Sequence, residues 1–300
     1  MKRQRIAAVA VSIIVLAALE LPADEAIQTI PIGNYETFST GTRTIHSPGA
    51  GLLLLKGESM FVGRYGYQTL DSERAPGDPR RFHAIEALYD STRGRHRFLS
   101  VFKANSDAPV AGGWHTFQAA SVYGYQVVET AQTSITVGGG LAVGDFGIET
   151  GDGGTWPLLP VPYVQATFTS PLLALSFDFI TGPNLNVTVA PENDLRFIAD
   201  ARLDQFRDLQ DLIFEIALAY RILSAGIANQ GFTLNLAEEK TTVDVGSYVL
   251  FGRVDLTILT VTGGYAVEGW QRRGDDLDTG MGEGLFLSVQ ALLPLGGGDR

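Results

Sequence analysis

The chain contains no cysteine, which excludes a disulfide framework, thiolate metal sites and a lipid-modified cysteine behind a leader. Charge is scarce as well: 18% of residues are Asp, Glu, Lys or Arg, against roughly 25% in ordinary water-soluble domains. Basic residues are the rarer sign, 22 against 33 acids for a net charge of −11. No Lys/Arg stripe exists that could follow a phosphate backbone, so no nucleic-acid partner is expected. Beyond residue 19 no apolar run approaches the ~18–20 residues that a membrane helix needs. Yet 45% of the chain is hydrophobic, so its apolar residues are dispersed among polar ones. Glycine is plentiful, with 35 residues in 300.

At the start, Lys2, Arg3 and Arg5 precede an apolar stretch from Ile6 to Leu19, followed by Glu20-Leu21-Pro22-Ala23. A basic head, a short apolar centre and a Pro/Ala tail read as a secretory signal peptide over residues 1–23, with export from the cytoplasm as its consequence. An extended segment is expected over 24–51, a single β-domain over 52–295 and a short tail over 296–300.

Within that domain the hydrophobic period is two. Leu173, Leu175, Phe177 and Phe179 alternate with Ala174, Ser176 and Asp178. Leu185-Asn186-Val187-Thr188-Val189 alternates in the same way, as do Leu195 to Leu203 and Leu285 to Leu293. Successive side chains of a strand point to opposite faces, so each pattern predicts a strand with one apolar face. Turn chemistry separates them: Gly182-Pro183-Asn184, Pro191-Glu192-Asn193-Asp194, Ala75-Pro76-Gly77-Asp78-Pro79 and Gly151-Asp152-Gly153-Gly154. The segment from Leu203 to Leu223 fits a helix with Phe206, Leu209, Ile213, Ile216 and Tyr220 on one side, and also alternates from Leu212 to Tyr220. Its strand neighbours favour the strand.

The leader, the alternating spans, and aromatics near apparent strand ends (Tyr65, Tyr67, Tyr89, Tyr123, Tyr125, Tyr163, Tyr220, Tyr265, Trp270) resemble the bacterial outer-membrane β-barrel class. The run Trp156-Pro157-Leu158-Leu159-Pro160-Val161-Pro162-Tyr163 ahead of further spans is similar to barrels of unassigned function. That resemblance implies an all-β, antiparallel, closed transmembrane barrel in the outer membrane. Its partners would be membrane lipids, lipopolysaccharide and the outer-membrane assembly machinery. At roughly 20 residues per strand and turn, residues 52–295 give about 12 strands, within a range of 10 to 14. Such barrels commonly end in an aromatic residue; here Phe286 lies inside the last alternating segment, which continues to Leu293.

Chemistry is harder to find. Histidines stand at positions 46, 83, 96 and 115. On a single strand His115 and Ser121 would be about 20 Å apart and His96 and Ser100 about 13 Å, too far for a nucleophile–base pair. No catalytic residue and no cofactor is therefore expected. Gly138-Gly139-Gly140 lacks the lysine of a phosphate loop and reads as a bend or a close packing contact inside a strand. Asp275, Asp276, Asp278 and Glu283 fail the spacing of a calcium-binding helix–loop–helix, because Leu287 falls where the bidentate Glu should stand. Asn186-Val187-Thr188 matches a glycosylation acceptor by chance, at mid-strand.

The polar face of the spans is the most informative feature. Asp178, Arg196, Asp200, Arg202, Glu215 and Arg221 sit on it, and in a barrel would line the lumen. Charges of both signs fit a passive pore for small solutes, with loops and lumen charge setting selectivity. They also fit a structural or adhesive barrel whose lumen is filled by its own ion pairs. A lipid-modifying enzyme is a further alternative, requiring one of the histidines beside a serine and an acid on the outer rim.

Overall fold

The computed structural model describes residues 27–40, 43–72, 80–106, 116–144, 158–179, 182–203, 212–236, 241–273, 276–278 and 282–292. The leader, His115, the Trp156-Pro157 dipeptide and the C-terminal tail lie outside the described residues. Seventeen strands are described. In chain order they are β1 (Gln28–Thr40), β2 (Arg43–Lys56), β3 (Ser59–Ser72), β4 (Arg80–Arg93), β5 (His96–Ser106), β6 (Thr116–Glu129), β7 (Thr133–Gly144) and β8 (Leu158–Thr169). There follow β9 (Leu173–Phe179), β10 (Pro183–Val189), β11 (Leu195–Leu203), β12 (Leu212–Tyr220), β13 (Leu223–Leu236), β14 (Thr241–Asp255), β15 (Leu259–Arg273), β16 (Asp276–Asp278) and β17 (Gly284–Leu292).

Each barrel strand pairs antiparallel with the next, and β17 returns to β1 from Ile32 opposite Leu292 to Phe38 opposite Phe286. The sheet is thus a closed barrel of 16 strands, with the short β16 paired only to the far end of β15. The expectation of about 12 strands, with an upper bound of 14, is therefore corrected. The barrel begins earlier than residue 52, because β1 and the first nine residues of β2 lie ahead of it. Elsewhere the repeat is shorter than assumed, because β9 and β10 have only 7 residues and β11 and β12 only 9. Leu212–Tyr220 is a strand, as its alternation predicts.

Tight turns close one end of the barrel. β2–β3 and β4–β5 turn through Gly57 (φ 54°) and Gly94 (φ 58°), a left-handed conformation that two-residue hairpins demand and glycine supplies without strain. The chain enters β1 and leaves β17 at this same end, since Gln28 pairs with Leu55 beside the β2–β3 turn and Leu292 pairs with Ile32. The longer connections, between β3 and β4, β5 and β6, β7 and β8, and β11 and β12, join the strands at the opposite end.

Contacts between non-adjacent strands define the inside. Arg97 on β5 reaches Gln165 on β8, and Arg253 on β14 reaches Glu215 on β12. Register carries that face around the ring, and the opposite face holds exposed Leu185, Leu195, Phe197, Ile216, Leu218, Leu250 and Leu285.

The cross-section is not circular. β5 and β13 approach within 8 Å, Cα to Cα, across the interior. Phe38, Ile45 and Phe82 of β1, β2 and β4 form one inner cluster with Ala217, Ala228, Val245, Val249, Phe251, Ala266 and Phe286 of β12 to β17. Where the wall bends inward, outward-facing side chains become buried: Tyr89, Phe102, Ala104 and Ala119 cluster with Phe61, Ile85, Ala87, Phe98 and Val143 on the outer face of β3 to β7. A second sharp bend occurs at β7, where glycine is required for close approach. A Cβ on Gly138 or Gly140 would lie 1.9 Å from the carbonyl oxygen of Tyr123 or Ser121, and the ring of Tyr163 occupies the space beside Gly124. The bend and close packing expected of these glycines are both present.

Gly140→Ala is accordingly expected to destabilise the fold by about 1–3 kcal/mol through overpacking. Gly139→Ala, whose Cβ meets nothing closer than 3.4 Å, should be close to neutral. Urea titration of the refolded variants, followed by tryptophan fluorescence, measures the contrast.

Candidate functional site: the barrel lumen

The inner wall is polar over long stretches because every second residue of each strand must face it. Three arrangements stand out among the charged groups of the described residues. The first is full pairing. Arg97 donates from Nε to Asp90 Oδ1 at 2.9 Å and from Nη2 to Asp90 Oδ2 at 2.5 Å, while Nη1 donates to Gln165 Oε1. Arg253 grips Glu215 through both carboxylate oxygens at 2.7 and 2.5 Å, donates from Nε to Thr262 Oγ1 at 3.2 Å, and lies 4.9 Å over the ring of Phe251. Two parallel charge-assisted hydrogen bonds fix a guanidinium far better than a single contact does.

The second arrangement is an amide clamp. Asn184 donates to Asp178 Oδ2 at 3.1 Å and Asn186 to Asp200 Oδ2 at 3.2 Å. Neither carboxylate has an ion-pair partner among the described residues. The third is a wet row, in which Arg64 stands opposite Glu86 and Glu86 opposite Lys103, all three exposed.

Of the six residues expected to line a lumen, five face the interior. Asp178 stands opposite Gln165 and Asn184, Asp200 opposite Asn186 and Glu215, and Arg196 and Arg202 share that face of β11. The sixth, Arg221, does not lie along a wall. It occupies the β12–β13 turn with φ 54°, its side chain 64% exposed and 3.1 Å from Asp194. The Arg196 guanidinium bends toward this turn, donating to the Arg221 carbonyl at 3.4 Å.

No family model matches the chain and no curated protein matches it. Among solved structures it is similar to the crystal structure of OccK7 (OpdD) from Pseudomonas aeruginosa, at 12% identity over 92% of this chain and 100% of that one, with a TM-score of 0.37. No residue role or solute transfers from that likeness.

Residues not singled out in the sequence are prominent here. Arg253, Arg97, Asp90 and Glu36 all face inward. Glu36, Asp255, Thr260, Thr262, Ser288 and Gln290 surround a cavity of about 380 Å³ beside the Glu215–Arg253 pair, with Phe286 in its lining. The alternation of Phe251, Arg253 and Asp255 on one face of β14 carried the available signal. The aromatic set divides: Tyr65, Tyr123, Tyr125, Tyr220 and Tyr265 are exposed, whereas Tyr163 is 1% exposed and packs inside with Leu99 and Val122. Its register opposite Gly138 puts it on the inner face.

The described histidines partner tyrosines, not serines. His46 bonds Tyr35, His83 bonds Tyr65 and His96 bonds Tyr123, while the Oγ of Ser121 lies 2.7 Å from that of Ser100. Among the described residues no three His, Asp or Glu side chains converge as metal ligands.

Removing one member of the Glu215–Arg253 pair strands a charge that is more than three-quarters enclosed. Arg253→Met should therefore cost about 1–3 kcal/mol. Adding Glu215→Met to it should recover part of that loss, because two apolar groups replace a pair that had to be desolvated. A double-mutant cycle of urea midpoints reads the coupling directly.

Proposed function

We propose that this chain is an outer-membrane barrel that passes small polar solutes passively along the wall formed by β9, β10 and β11. The observation that carries the proposal is the inner face of these three strands. Ser176 and Asp178, then Asn184, Asn186 and Thr188, then Arg196, Asp200 and Arg202 make a polar stripe interrupted only by Ala174 and Ile198. None of these side chains is fully buried. No residue of the apolar cluster that fills the opposite sector comes from these strands.

A membrane location is supported by the closure of the ring together with the exposed apolar outer face. Only a sheet without edges satisfies every backbone polar group in hydrocarbon. The signal-peptide reading of residues 1–23 supports the same destination. In this orientation the short turns, the start of β1 and the end of β17 lie on the periplasmic side, and the strand ends that lead into the longer connections lie on the outer side.

Solutes on this path meet the carboxylates Asp178 and Asp200 and the guanidinium groups of Arg196 and Arg202, in equal number. Neutral, zwitterionic or weakly charged solutes fit such a wall better than strong ions of either sign. A structural barrel with a filled lumen is the second reading. It is favoured by the approach of β5 to β13 and by the apolar cluster between the walls.

Planar-bilayer recording separates the two. The pore reading expects small, weakly selective conductance. Asp178→Asn with Asp200→Asn should shift the reversal potential toward anion preference, and Arg196→Gln with Arg202→Gln toward cation preference. Inserted protein that shows neither conductance nor liposome swelling leaves the structural barrel standing.

A further inference from the structure

The outer face of β1 to β4, near the long-connection end, carries polar groups that the lumen does not use. In register, Thr37 lies opposite His46, His46 opposite Thr69 and Thr69 opposite Arg81, so these four form one row across four strands. His83 lies on the same face of β4, one outward position below Arg81, and stands opposite Tyr67. Strands are about 4.8 Å apart, which places His46 and Arg81 roughly 10 Å from each other. Arg81 is exposed, and among the described residues it has no carboxylate partner.

Both imidazoles are oriented by tyrosines. Tyr35 Oη lies 2.9 Å from His46 Nδ1 and Tyr65 Oη 2.6 Å from His83 Nδ1, while the ring of Tyr67 meets His83 edge-on at 5.2 Å. With the phenol donating to Nδ1, each neutral ring carries its proton on Nε2 and offers it as a donor. Directly below, toward the turn end, the same face becomes apolar: Ala50, Leu52 and Leu54 on β2, Phe61 on β3, and Ile85 and Ala87 on β4. From there the surface continues into the inward bend of the wall that holds Phe98 and Val143.

We infer that this patch binds one phosphorylated glycolipid of the outer leaflet, with its phosphate held by Arg81, His46 and His83 and its acyl chains lying over the apolar surface beneath. This rests on the membrane reading above. Three features argue for such an occupant. The donors are the types that recognise phosphate oxygens, with a guanidinium supplying fixed charge. Their vertical order matches a lipid, with phosphate donors above, tyrosines at the level of the polar–apolar boundary, and aliphatic and aromatic carbon below. The patch also lies at the end of the barrel where the longer connections are, which is the lipopolysaccharide side in an outer membrane.

The test uses the full chain refolded into phosphatidylcholine vesicles doped with lipid A, doped with phosphatidylglycerol, or undoped. Membrane insertion is scored first by resistance to urea extraction, and folding by heat-dependent gel mobility. The protein is then extracted in mild detergent and its retained lipid is counted by native mass spectrometry.

Lipid A should stay bound to the wild-type chain. Retention should fall by about tenfold or more in the triple variant Arg81→Gln, His46→Gln, His83→Gln, as expected when charge-assisted contacts are lost. Arg81→Lys should keep most of the binding. Arg93→Gln with Arg95→Gln, at the turn end, should leave it unchanged. An inserted, folded triple variant that keeps lipid A as well as wild type overturns the site. Equal retention of phosphatidylglycerol by wild type overturns the glycolipid assignment. Failure of the wild-type chain to insert overturns the membrane reading, and the site with it.

Discussion

The pairing of β1 with β17 is the constraint on which the rest depends. An open sheet presents a row of unpaired N–H and C=O groups at each edge, tolerable in water but costly in hydrocarbon. From Ile32 opposite Leu292 to Phe38 opposite Phe286, the first strand and the last satisfy each other. Closure also fixes which side of every strand is inside. The Glu36 side chain reaches Ser288 across the seam at 3.4 Å, and register then assigns a face to Asp178 and Arg253 many strands away. Inner polar residues and outer leucines are two consequences of one ring.

Within that ring the interior is divided by packing. In the sector from β12 through β17 to β4, side chains fill the space, with Phe38, Phe82, Phe251 and Phe286 at its centre and a polar cavity beside it. There Glu215 is locked by Arg253. In the sector of β9 to β11 the carboxylates of Asp178 and Asp200 are held by asparagine amides, which orient a charge without cancelling it. A guanidinium brings an opposing charge to the carboxylate it holds; an amide brings a hydrogen bond alone. The bends at β5 and β7 produce this division, one bringing opposite walls together and the other folding the sheet around Tyr163.

Much of the architecture was legible in the sequence wherever large apolar residues alternated with polar ones. Leu173 to Phe179, Leu185 to Val189, Leu195 to Leu203 and the segment after Leu285 all read as strands for that reason. Strand number was not legible, because β1 is largely polar and β2 opens through Ser47-Pro48-Gly49-Ala50-Gly51. Neither shows the oily alternation by which a span is recognised. Five inner charges were visible as the polar face of good spans. Arg221 resembled them until register placed it in a turn. Arg253 and Glu215 are 38 residues apart and separated by a whole strand, and no local pattern announces a contact of that kind. Tyr163 looked like its exposed counterparts because strand-end position alone does not tell inside from outside.

The absence of native cysteine makes the central claim directly measurable. Thr37 and Leu287 are cross-strand neighbours on the outer face of the seam, at a separation that a disulfide can span. In the full chain refolded in detergent, Thr37→Cys with Leu287→Cys should oxidise within single molecules and change the mobility of the denatured chain. A control that moves the second cysteine to Val289→Cys should cross-link far less. Oxidation that joins only separate molecules, or equal cross-linking in both variants, would show that the first and last strands do not meet in this register, and the closed barrel would fall.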